Sequence, residues 1–148
     1  MNRKVDVLPD EIAQAARFQQ AREARNAATA QDYVELISDL IATTGEARSV
    51  DVAKRLGVSH ATVVKTVNRL QKEGLINTKP YRGLFLTDSG ESLATESRHR
   101  HQVVANLLVA LGVDEETAQT DAEGIEHHIS AQTLAAFELF LAKQEIKV

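Results

Sequence analysis

The stretch that decides the fold is Val50–Gly74, which reads VDVAKRLGVSHATVVKTVNRLQKEG. Its first seven residues predict a short helix, and the glycine at position 57 predicts a tight turn. The following segment, His60–Glu73, predicts a second helix, because Ser59 can cap its start and Gly74 can end it. A helix, a glycine-containing turn and a helix at this spacing indicate a helix-turn-helix.

Two strand-like runs follow this motif. They are Leu75–Pro80 and Leu84–Thr87, and they flank the turn sequence Tyr81–Gly83, which predicts a two-stranded wing. Upstream, the spacing of apolar residues predicts a helix over Asp32–Thr43 that ends at Gly45. Residues 1–29 are rich in Ala, Gln and Arg, and a helix from Pro9 to Ala28 or a frayed extension would both fit.

The rest of the chain predicts helices only. One runs from Asp88 to Leu111, one from Asp114 to His128, and a last one starts at Ser130, which caps it, and reaches about Lys143. The last helix has a broad apolar surface formed by Leu134, Phe137, Leu139, Phe140 and Leu141. A chain this short has little core for these helices to cover, so we expect a homodimer.

The predicted fold class is therefore mostly α, with an N-terminal winged helix-turn-helix followed by an all-helical dimerisation domain. We expect an N-terminal extension over residues 1–29, a winged helix-turn-helix domain over 30–87, and a helical dimerisation domain over 88–148. The 148 residues contain no cysteine, which excludes a disulfide framework and a zinc ribbon. No apolar run approaches the ~18 residues of a membrane span, and the N-terminus does not resemble a signal peptide, so we expect a cytoplasmic protein.

Charge is distributed unevenly along the chain. Residues 46–83 carry eight Lys or Arg and three acidic residues, whereas residues 84–148 carry eleven acidic and four basic residues. A basic module with a net charge of +5 beside an acidic one with −7 indicates that the first binds a polyanion.

The second helix of the motif has a face that could read DNA. Val63, Val67 and Leu70 define its core side, at ~100° per residue, which leaves the opposite face to contact base edges or phosphates. The candidate DNA-binding residues of the motif and wing are Lys54, Ala61, Thr62, Lys65, Asn68, Arg69, Lys79 and Arg82. Of these, Lys65 and Asn68 are expected to meet bases, and the others with a positive charge to meet phosphates, namely Lys54, Arg69, Lys79 and Arg82. The alternative is a three-helix packing unit whose lysines are merely solvated.

A group of acidic and histidine side chains indicates a metal site. In Glu123-Gly-Ile-Glu126-His127, helical spacing places two carboxylates and an imidazole on one side, and Asp32-Tyr-Val-Glu35 repeats the carboxylate spacing. Such groups repel one another unless a hard divalent cation lies between them, and this donor set suits Mn²⁺ or Fe²⁺. Taken singly, Asp32 could be a helix cap, the glutamates could be solvated, and His101 could be a core histidine.

These residues resemble the diphtheria toxin repressor family of metal-activated bacterial repressors, specifically its manganese transport regulator branch. The resemblance extends from about Asp32 to Phe140. It rests on Asp32-Tyr-Val-Glu35, Tyr81-Arg-Gly-Leu-Phe-Leu-Thr87, Arg100-His101 and Asp121-Ala-Glu-Gly-Ile-Glu-His-His128. The iron-sensing branch has Met and Cys at the positions of Asp32 and Glu126, so the chain looks like the manganese type. The long N-terminal extension departs from the short members of the family.

The resemblance implies a function and a ligand set. It implies a transcriptional repressor, not an enzyme, that binds double-stranded operator DNA as a homodimer and shuts off manganese uptake genes when Mn²⁺ is plentiful. The metal ligands fall on Asp32, Glu35, His101, Glu123, Glu126 and His127. Four ionised carboxylates would balance two Mn²⁺ ions per subunit, with Fe²⁺ as the second candidate metal.

Two other functions share some of these features. A di-metal hydrolase could use the same carboxylates to activate water, although it would need a base beyond the six ligands. A metal-independent DNA-binding regulator could carry the cluster as a structural element only. Metal titration followed by a DNA-binding measurement separates the three.

Overall fold

The computed structural model describes residues 7–81 and 83–145, so the predicted DNA contact Arg82 lies outside the described residues. The described part contains six α-helices, a single 3₁₀ turn and a two-stranded sheet. In chain order these are α1 (Glu11–Thr44), α2 (Ser49–Leu56), α3 (His60–Lys72), β1 (Ile76–Lys79), β2 (Gly83–Leu86), α4 (Asp88–Ala110), α5 (Glu115–Ile125), the 3₁₀ turn (Glu126–His128) and α6 (Ala131–Glu145).

Helix α1 is one continuous helix of 34 residues. The side chain of Asp10 caps it by accepting from the Ala13 amide at 3.2 Å, and Gly45 ends it in the left-handed conformation at φ 83°. No Gly or Pro interrupts the sequence between these ends. The prediction of a separate helix that starts near Asp32 is therefore wrong: Asp32 lies in the interior of α1 and caps nothing.

The first part of α1 is exposed. Ile12 is 81% exposed and Phe18 59%. Burial begins at Ala30 and continues through Tyr33, Ile37 and Leu40. Only the second half of the helix is therefore anchored in a core within the described part of this protomer.

The helix-turn-helix matches its prediction closely. Gly57 ends α2 at φ 67°, a conformation that glycine adopts without steric cost. The hydroxyl of Ser59 caps α3 by accepting from the Thr62 amide at 3.1 Å. Val63, Val67 and Leu70 are buried as expected, and the helix ends one residue earlier than predicted.

The wing is a short antiparallel pair. Its register joins Ile76 to Leu86 and Lys79 to Gly83, and Tyr81 lies in the turn with a positive φ of 64°. Helix α4 begins directly behind the wing and packs so closely there that a Cβ on Gly90 would lie 2.1 Å from the Leu75 carbonyl oxygen. Glycine at position 90 thus fixes the approach of α4 to the winged domain.

The C-terminal helices differ from their predictions at one point. Helix α5 begins as expected after Asp114, whose side chain accepts from the Thr117 amide at 3.0 Å, but it ends at Ile125. The predicted continuation to His128 is wrong, because residues 126–128 form the tighter 3₁₀ turn. Ser130 caps α6 by accepting from the Thr133 amide at 3.1 Å, as predicted.

The described residues form two hydrophobic clusters. The larger joins the second half of α1 to α2, α3 and the wing, with Ile37, Val52, Leu70 and Ile76 at its centre. The smaller consists of Val104, Ala105 and Ala122, against which Leu108, Ile129 and Phe137 pack. Helix α1 also packs along α4, so it connects the two parts of the molecule.

Helix α6 has no buried residue within the protomer. Leu139 is 64% exposed and Phe140 39%, whereas Phe137 packs onto the smaller cluster. Part of the apolar surface predicted for dimerisation is therefore used inside the protomer, and the remainder faces outward. None of the described helices has the length and apolarity that a membrane crossing needs.

Candidate metal centre and nucleic-acid interface

The candidate metal ligands come from four elements. Helix α1 presents Asp32 and Glu35 one turn apart, close to the point where its burial begins. Helix α4 contributes His101 and α5 contributes Glu123. The 3₁₀ turn contributes the remaining two, Glu126 and His127.

Four of the six predicted ligands form a tight group. The ligand atoms of Asp32, Glu123, Glu126 and His127 all lie within 4.8 Å of one another. His127 Nε2 is 3.1 Å from Asp32 Oδ1 and 3.3 Å from Glu126 Oε1. Three carboxylates and one imidazole nitrogen therefore surround a single point.

The other two predicted ligands, His101 and Glu35, lie close to this group. His101 Nδ1 is 3.0 Å from Glu126 Oε2 and 3.5 Å from Glu123 Oε1. Glu35 lines an open pocket of about 330 Å³ together with Asp32 and Glu123. The two oxygens of Glu126 thus face different histidines.

Glu126 is the most deeply buried of the candidate ligands. Its side chain is 1% exposed, and neither carboxylate oxygen has a hydrogen-bond partner. His101 Nδ1 is buried and has no hydrogen-bond partner either. The ring nitrogens of His101 and His127 lie 3.0 and 3.3 Å from the Glu126 oxygens, but not in hydrogen-bond geometry. Burying polar atoms without hydrogen bonds is costly unless a compensating charge is present, so this donor set fits a bound cation. Oxygen and imidazole donors without thiolate fit Mn²⁺ or Fe²⁺.

The raised pKa values of two carboxylates in this site also fit a bound cation. Burial raises the pKa of Glu126 from 4.5 to about 7, against the opposing effect of His101. Burial and the charge of Glu123 likewise raise the pKa of Glu35. The carboxylates therefore hold protons more tightly than usual, and a divalent cation would displace them.

Both histidines also have a raised pKa. For His127 the main cause is its hydrogen bond to Asp32. For His101, burial alone would lower the pKa, but the hydrogen bond to Gln119 and the charges of Glu126 and Glu123 outweigh it. Both rings face carboxylates, and a ring nitrogen must lose its proton before it can bind a metal.

Sequence reasoning missed three residues that hold the site together. His127 Nδ1 lies 2.6 Å from Gln31 Oε1, and His101 Nε2 lies 2.6 Å from Gln119 Oε1. Arg100 donates to the Glu126 carbonyl at 2.9 and 3.1 Å and to the Ile129 carbonyl at 2.5 Å. The available signals were adjacency and helical spacing: Gln31 and Arg100 each precede a ligand, and Gln119 lies one turn before Glu123.

The predicted DNA-binding residues that the structure describes belong to α2, α3 and β1 of the winged domain. Lys54, Ala61, Thr62, Lys65, Asn68, Arg69 and Lys79 are all exposed. Three of these side chains already have a partner. Thr62 Oγ1 lies 2.8 Å from Ser59 Oγ, Arg69 is 3.5 Å from Glu73, and the Lys79 ammonium lies 5.2 Å from the Phe85 ring centre.

One apolar residue on the same helix was not predicted to contact DNA. Val64 is 41% exposed and precedes Lys65, one turn before Asn68. An exposed valine there could contact a thymine methyl group in the major groove. Its β-branched side chain resembled a core residue in sequence, which is why the pattern did not single it out.

These features define a class of protein: a winged helix-turn-helix regulator joined through one helix to a carboxylate and histidine metal site. Two family models match the chain. The description "Iron dependent repressor, N-terminal DNA binding domain" matches residues 27–84, and "Iron dependent repressor, metal binding and dimerisation domain" matches residues 87–146. The chain belongs to this iron dependent repressor family.

Individual relatives agree with the family. Transcriptional regulator MntR of Escherichia coli O157:H7 is 54% identical over 145 residues, which covers 98% of this chain and 94% of that protein. HTH-type transcriptional regulator MntR of Bacillus subtilis strain 168 is 41% identical over 100 residues, covering 68% of this chain and 70% of that protein.

Solved structures share the fold. A structure described as a manganese-dependent transcriptional repressor in complex with manganese has a TM-score of 0.66 and 28% identity. The match covers 76% of this chain and 52% of that one, so the chain spans about half the length of this structural relative. The IdeR structure from T. acidophilum has a TM-score of 0.64 and 26% identity, with coverage of 74% and 53%.

Proposed function

We propose that this protein is a manganese-activated transcriptional repressor, which binds operator DNA as a homodimer and controls manganese uptake genes. The names of its relatives support this proposal: the E. coli protein is a transcriptional regulator, and the structural relative is manganese-dependent. In this proposal residues 30–87 bind DNA, residues 88–148 bind metal and dimerise, and residues 1–29 form an extension. The protein would act in the cytoplasm, where bacterial DNA lies.

The observation that carries the proposal is the double role of α1. Asp32 and Glu35 point toward the candidate metal centre, while Tyr33, Ile37 and Leu40 of the same helix are buried in the core of the winged domain. A helix that belongs to both units can transmit a change at the metal centre to the position of the DNA-binding surface.

The proposed metal centre is binuclear, and its ligands are those predicted from the sequence. Asp32, Glu123, Glu126 and His127 would hold one ion, because their ligand atoms lie within 4.8 Å of one another. Glu35 and His101, with Glu123 and the second oxygen of Glu126, would hold the other. Two divalent ions balance the four carboxylates of this set, which supports two ions per subunit.

The bound metal would supply positive charge that cancels the repulsion among these carboxylates. The residues themselves then tie α1 to α4 and to the 3₁₀ turn. Without that tie, the two winged domains of a dimer are free to vary in separation, whereas a fixed separation can match two half-sites on DNA. The outward apolar residues Leu139 and Phe140 of α6 provide surface for dimerisation.

A stoichiometry and binding experiment tests the proposal. Calorimetry with Mn²⁺ should give two ions per wild-type subunit and at most one in Glu126→Gln, which keeps the shape of the side chain but removes its charge. A matched control, Glu145→Gln, makes the same change at an exposed position of α6 and should bind two.

The second measurement is the DNA affinity of each of these proteins with and without Mn²⁺. Double-stranded oligonucleotides selected from a random pool in the presence of Mn²⁺ should bind wild type and Glu145→Gln much more tightly with Mn²⁺ than without it. Glu126→Gln should respond little. Equal DNA binding with and without Mn²⁺ would show a metal-independent regulator, and the absence of any selected sequence would overturn the proposal.

A further inference from the structure

In both histidines of the candidate metal centre, one ring nitrogen faces carboxylates and the other contacts a glutamine. The nitrogen that faces the carboxylates is Nε2 in His127 and Nδ1 in His101. His127 turns Nε2 toward Asp32 and Glu126, and its Nδ1 lies 2.6 Å from Gln31 Oε1. His101 turns Nδ1 toward Glu126 and Glu123, and its Nε2 lies 2.6 Å from Gln119 Oε1. Each ring thus has one nitrogen facing the carboxylates and the other against a glutamine side chain.

We propose that Gln31 and Gln119 are positioning residues that fix the two histidines in opposite tautomers, so that His127 offers Nε2 and His101 offers Nδ1 to the metal. This inference rests on the proposed metal-binding function. An amide oxygen can only accept, so the ring nitrogen that it contacts must carry the hydrogen. In a neutral ring the other nitrogen then has the free lone pair, which a metal requires.

The opposite orientation of either amide would work against metal binding. If the amide nitrogen faced the ring, it would donate, and the ring hydrogen would move to the nitrogen that faces the carboxylates. That hydrogen would occupy the position of the metal. The contact through the glutamine oxygen is therefore the arrangement that prepares the ring for coordination.

A neutral partner also suits the charge of this site. Histidines that bind metals commonly donate their second N–H to a carboxylate, a backbone carbonyl or water. A carboxylate at position 31 or 119 would add negative charge beside the four carboxylates of the site. A glutamine orients the ring without adding to that repulsion.

The two glutamines also join different elements. Gln31 lies on α1 next to Asp32 and reaches the 3₁₀ turn, whereas Gln119 lies on α5 and reaches α4. Each glutamine therefore aligns a histidine with a carboxylate that lies on the same helix as the glutamine. Asp32 follows Gln31, and Glu123 lies one turn after Gln119. Loss of either glutamine should disorder one histidine and leave the other in place.

The test uses long-range ¹H–¹⁵N spectra of the imidazole rings in full-length protein loaded with Zn²⁺, which is diamagnetic. Metal-free protein would not serve, because there the ring nitrogens that face the carboxylates also attract the hydrogen. Wild type should show His127 protonated on Nδ1 and His101 on Nε2. Gln31→Leu should change the spectrum of His127 only, and Gln119→Leu that of His101 only. A control variant, Gln20→Leu, replaces an exposed glutamine on α1 and should change neither.

Metal affinity provides the second measurement. Calorimetry with Mn²⁺ alone should show affinity reduced about 10–100-fold in each Gln→Leu variant, the usual effect of losing such a partner. Gln31→Glu and Gln119→Glu keep an oxygen acceptor, so they should keep the wild-type tautomers. Unchanged tautomers and affinity in the Leu variants, with normal Mn²⁺ binding by wild type, would overturn this inference alone. Failure of wild type to bind Mn²⁺ would overturn the proposed function instead.

Discussion

At the scale of single residues, Glu126 connects stability to metal binding. Its side chain is buried without a hydrogen-bond partner, and burial raises its pKa from 4.5 to about 7. Between these two values the folded state binds more protons than the unfolded state. The free energy of unfolding therefore falls as pH rises through this window, which is the reverse of the usual behaviour of a paired carboxylate. The raised pKa values of His101 and His127 act in the same direction at somewhat higher pH.

This gives a prediction for thermal unfolding. Metal-free wild type should lose on the order of 1–3 kcal/mol of stability from Glu126 between about pH 5 and pH 8. Glu126→Gln, which has no charge to bury, should lose less over the same range. Saturating Mn²⁺ should raise the melting temperature of wild type more at pH 8 than at pH 6, as scanning calorimetry can measure. An equal effect of Mn²⁺ at both values would contradict the protonation of the metal-free site.

A second prediction concerns selectivity at Asp32. This carboxylate lies 3.1 Å from His127 Nε2 and supplies one hard oxygen to the predicted centre. Asp32→Met replaces it with a thioether sulfur, which prefers softer ions, so discrimination for Mn²⁺ against Fe²⁺ should weaken. Anaerobic titrations with each ion, read by DNA binding, measure the ratio. Glu11→Met, in the exposed first turn of α1, is the control, and an unchanged ratio in Asp32→Met would place selectivity elsewhere.

At the scale of elements, the helix-turn-helix, the wing and the caps at Ser59, Asp114 and Ser130 were predictable from sequence. Each depends on local signals: glycine turns, polar caps and apolar periodicity. The continuity of α1 was not predicted, because the change from an exposed to a buried half was read as a boundary near Asp32. In the structure the backbone hydrogen bonds of α1 continue past Asp32, because the helix contains no glycine or proline.

The early end of α5 depends on contacts between distant segments. Arg100 of α4 donates to the carbonyl groups of Glu126 and Ile129, and these bonds favour the tighter 3₁₀ turn over another turn of α-helix. Such a contact joins residues 26 positions apart, so local periodicity could not reveal it. The six ligand positions were predicted by family resemblance, whereas their hydrogen-bond partners Gln31 and Gln119 required the structure.

The two helices of the DNA-binding motif give a prediction that separates their roles. Lys65 on α3 is exposed on the predicted groove-facing side, and Lys54 on α2 is exposed where a first helix would cross the DNA backbone. Lys65→Ala should reduce the preference for selected over random DNA by about 1–3 kcal/mol. Lys54→Ala should weaken both equally and lower the salt slope by about one.

Fluorescence anisotropy at several salt concentrations measures both quantities. The control is Lys143→Ala, which removes the same charge from the exposed surface of α6 and should change neither. Identical behaviour of the Lys65 and Lys54 variants would show that the assignment of base and phosphate contacts is wrong. The predicted contact of Arg82 with phosphate stays a prediction, and its Ala variant belongs in the same series beside Lys54→Ala.

At the scale of the whole molecule, the acidic C-terminal part and the basic winged part have separate tasks. The proposed surface for dimerisation includes Leu139 and Phe140 of α6, which are exposed and are not among the six candidate ligands. The dimer should therefore persist without metal. Sedimentation of metal-free wild type should give a dimer, and Phe140→Asp should shift it toward monomer, because the new charge would be buried in an apolar interface.

The matched control for this surface is Gln144→Asp, which adds the same charge at an exposed position on α6 and should stay dimeric. A wild type that is monomeric without metal and dimerises on addition of Mn²⁺ would replace reorientation of the winged domains with metal-driven assembly as the switch. That outcome would also make DNA affinity depend steeply on protein concentration.

If the dimer persists, metal and DNA must be linked through the arrangement of the protein alone. Because α1 belongs to both the metal centre and the core of the winged domain, binding at either should favour the same arrangement. Linkage then requires that saturating selected DNA tighten Mn²⁺ affinity by the same factor by which Mn²⁺ tightens DNA affinity. We expect a factor of about 5–150, equivalent to roughly 1–3 kcal/mol. Calorimetric Mn²⁺ titrations with and without DNA give one side of the comparison, and anisotropy with and without Mn²⁺ gives the other. A factor near one in both titrations would mean that metal and DNA binding are uncoupled, and the coupling through α1 would then fail as an explanation. Two clearly different factors would mean that the two titrations measure different oligomeric states.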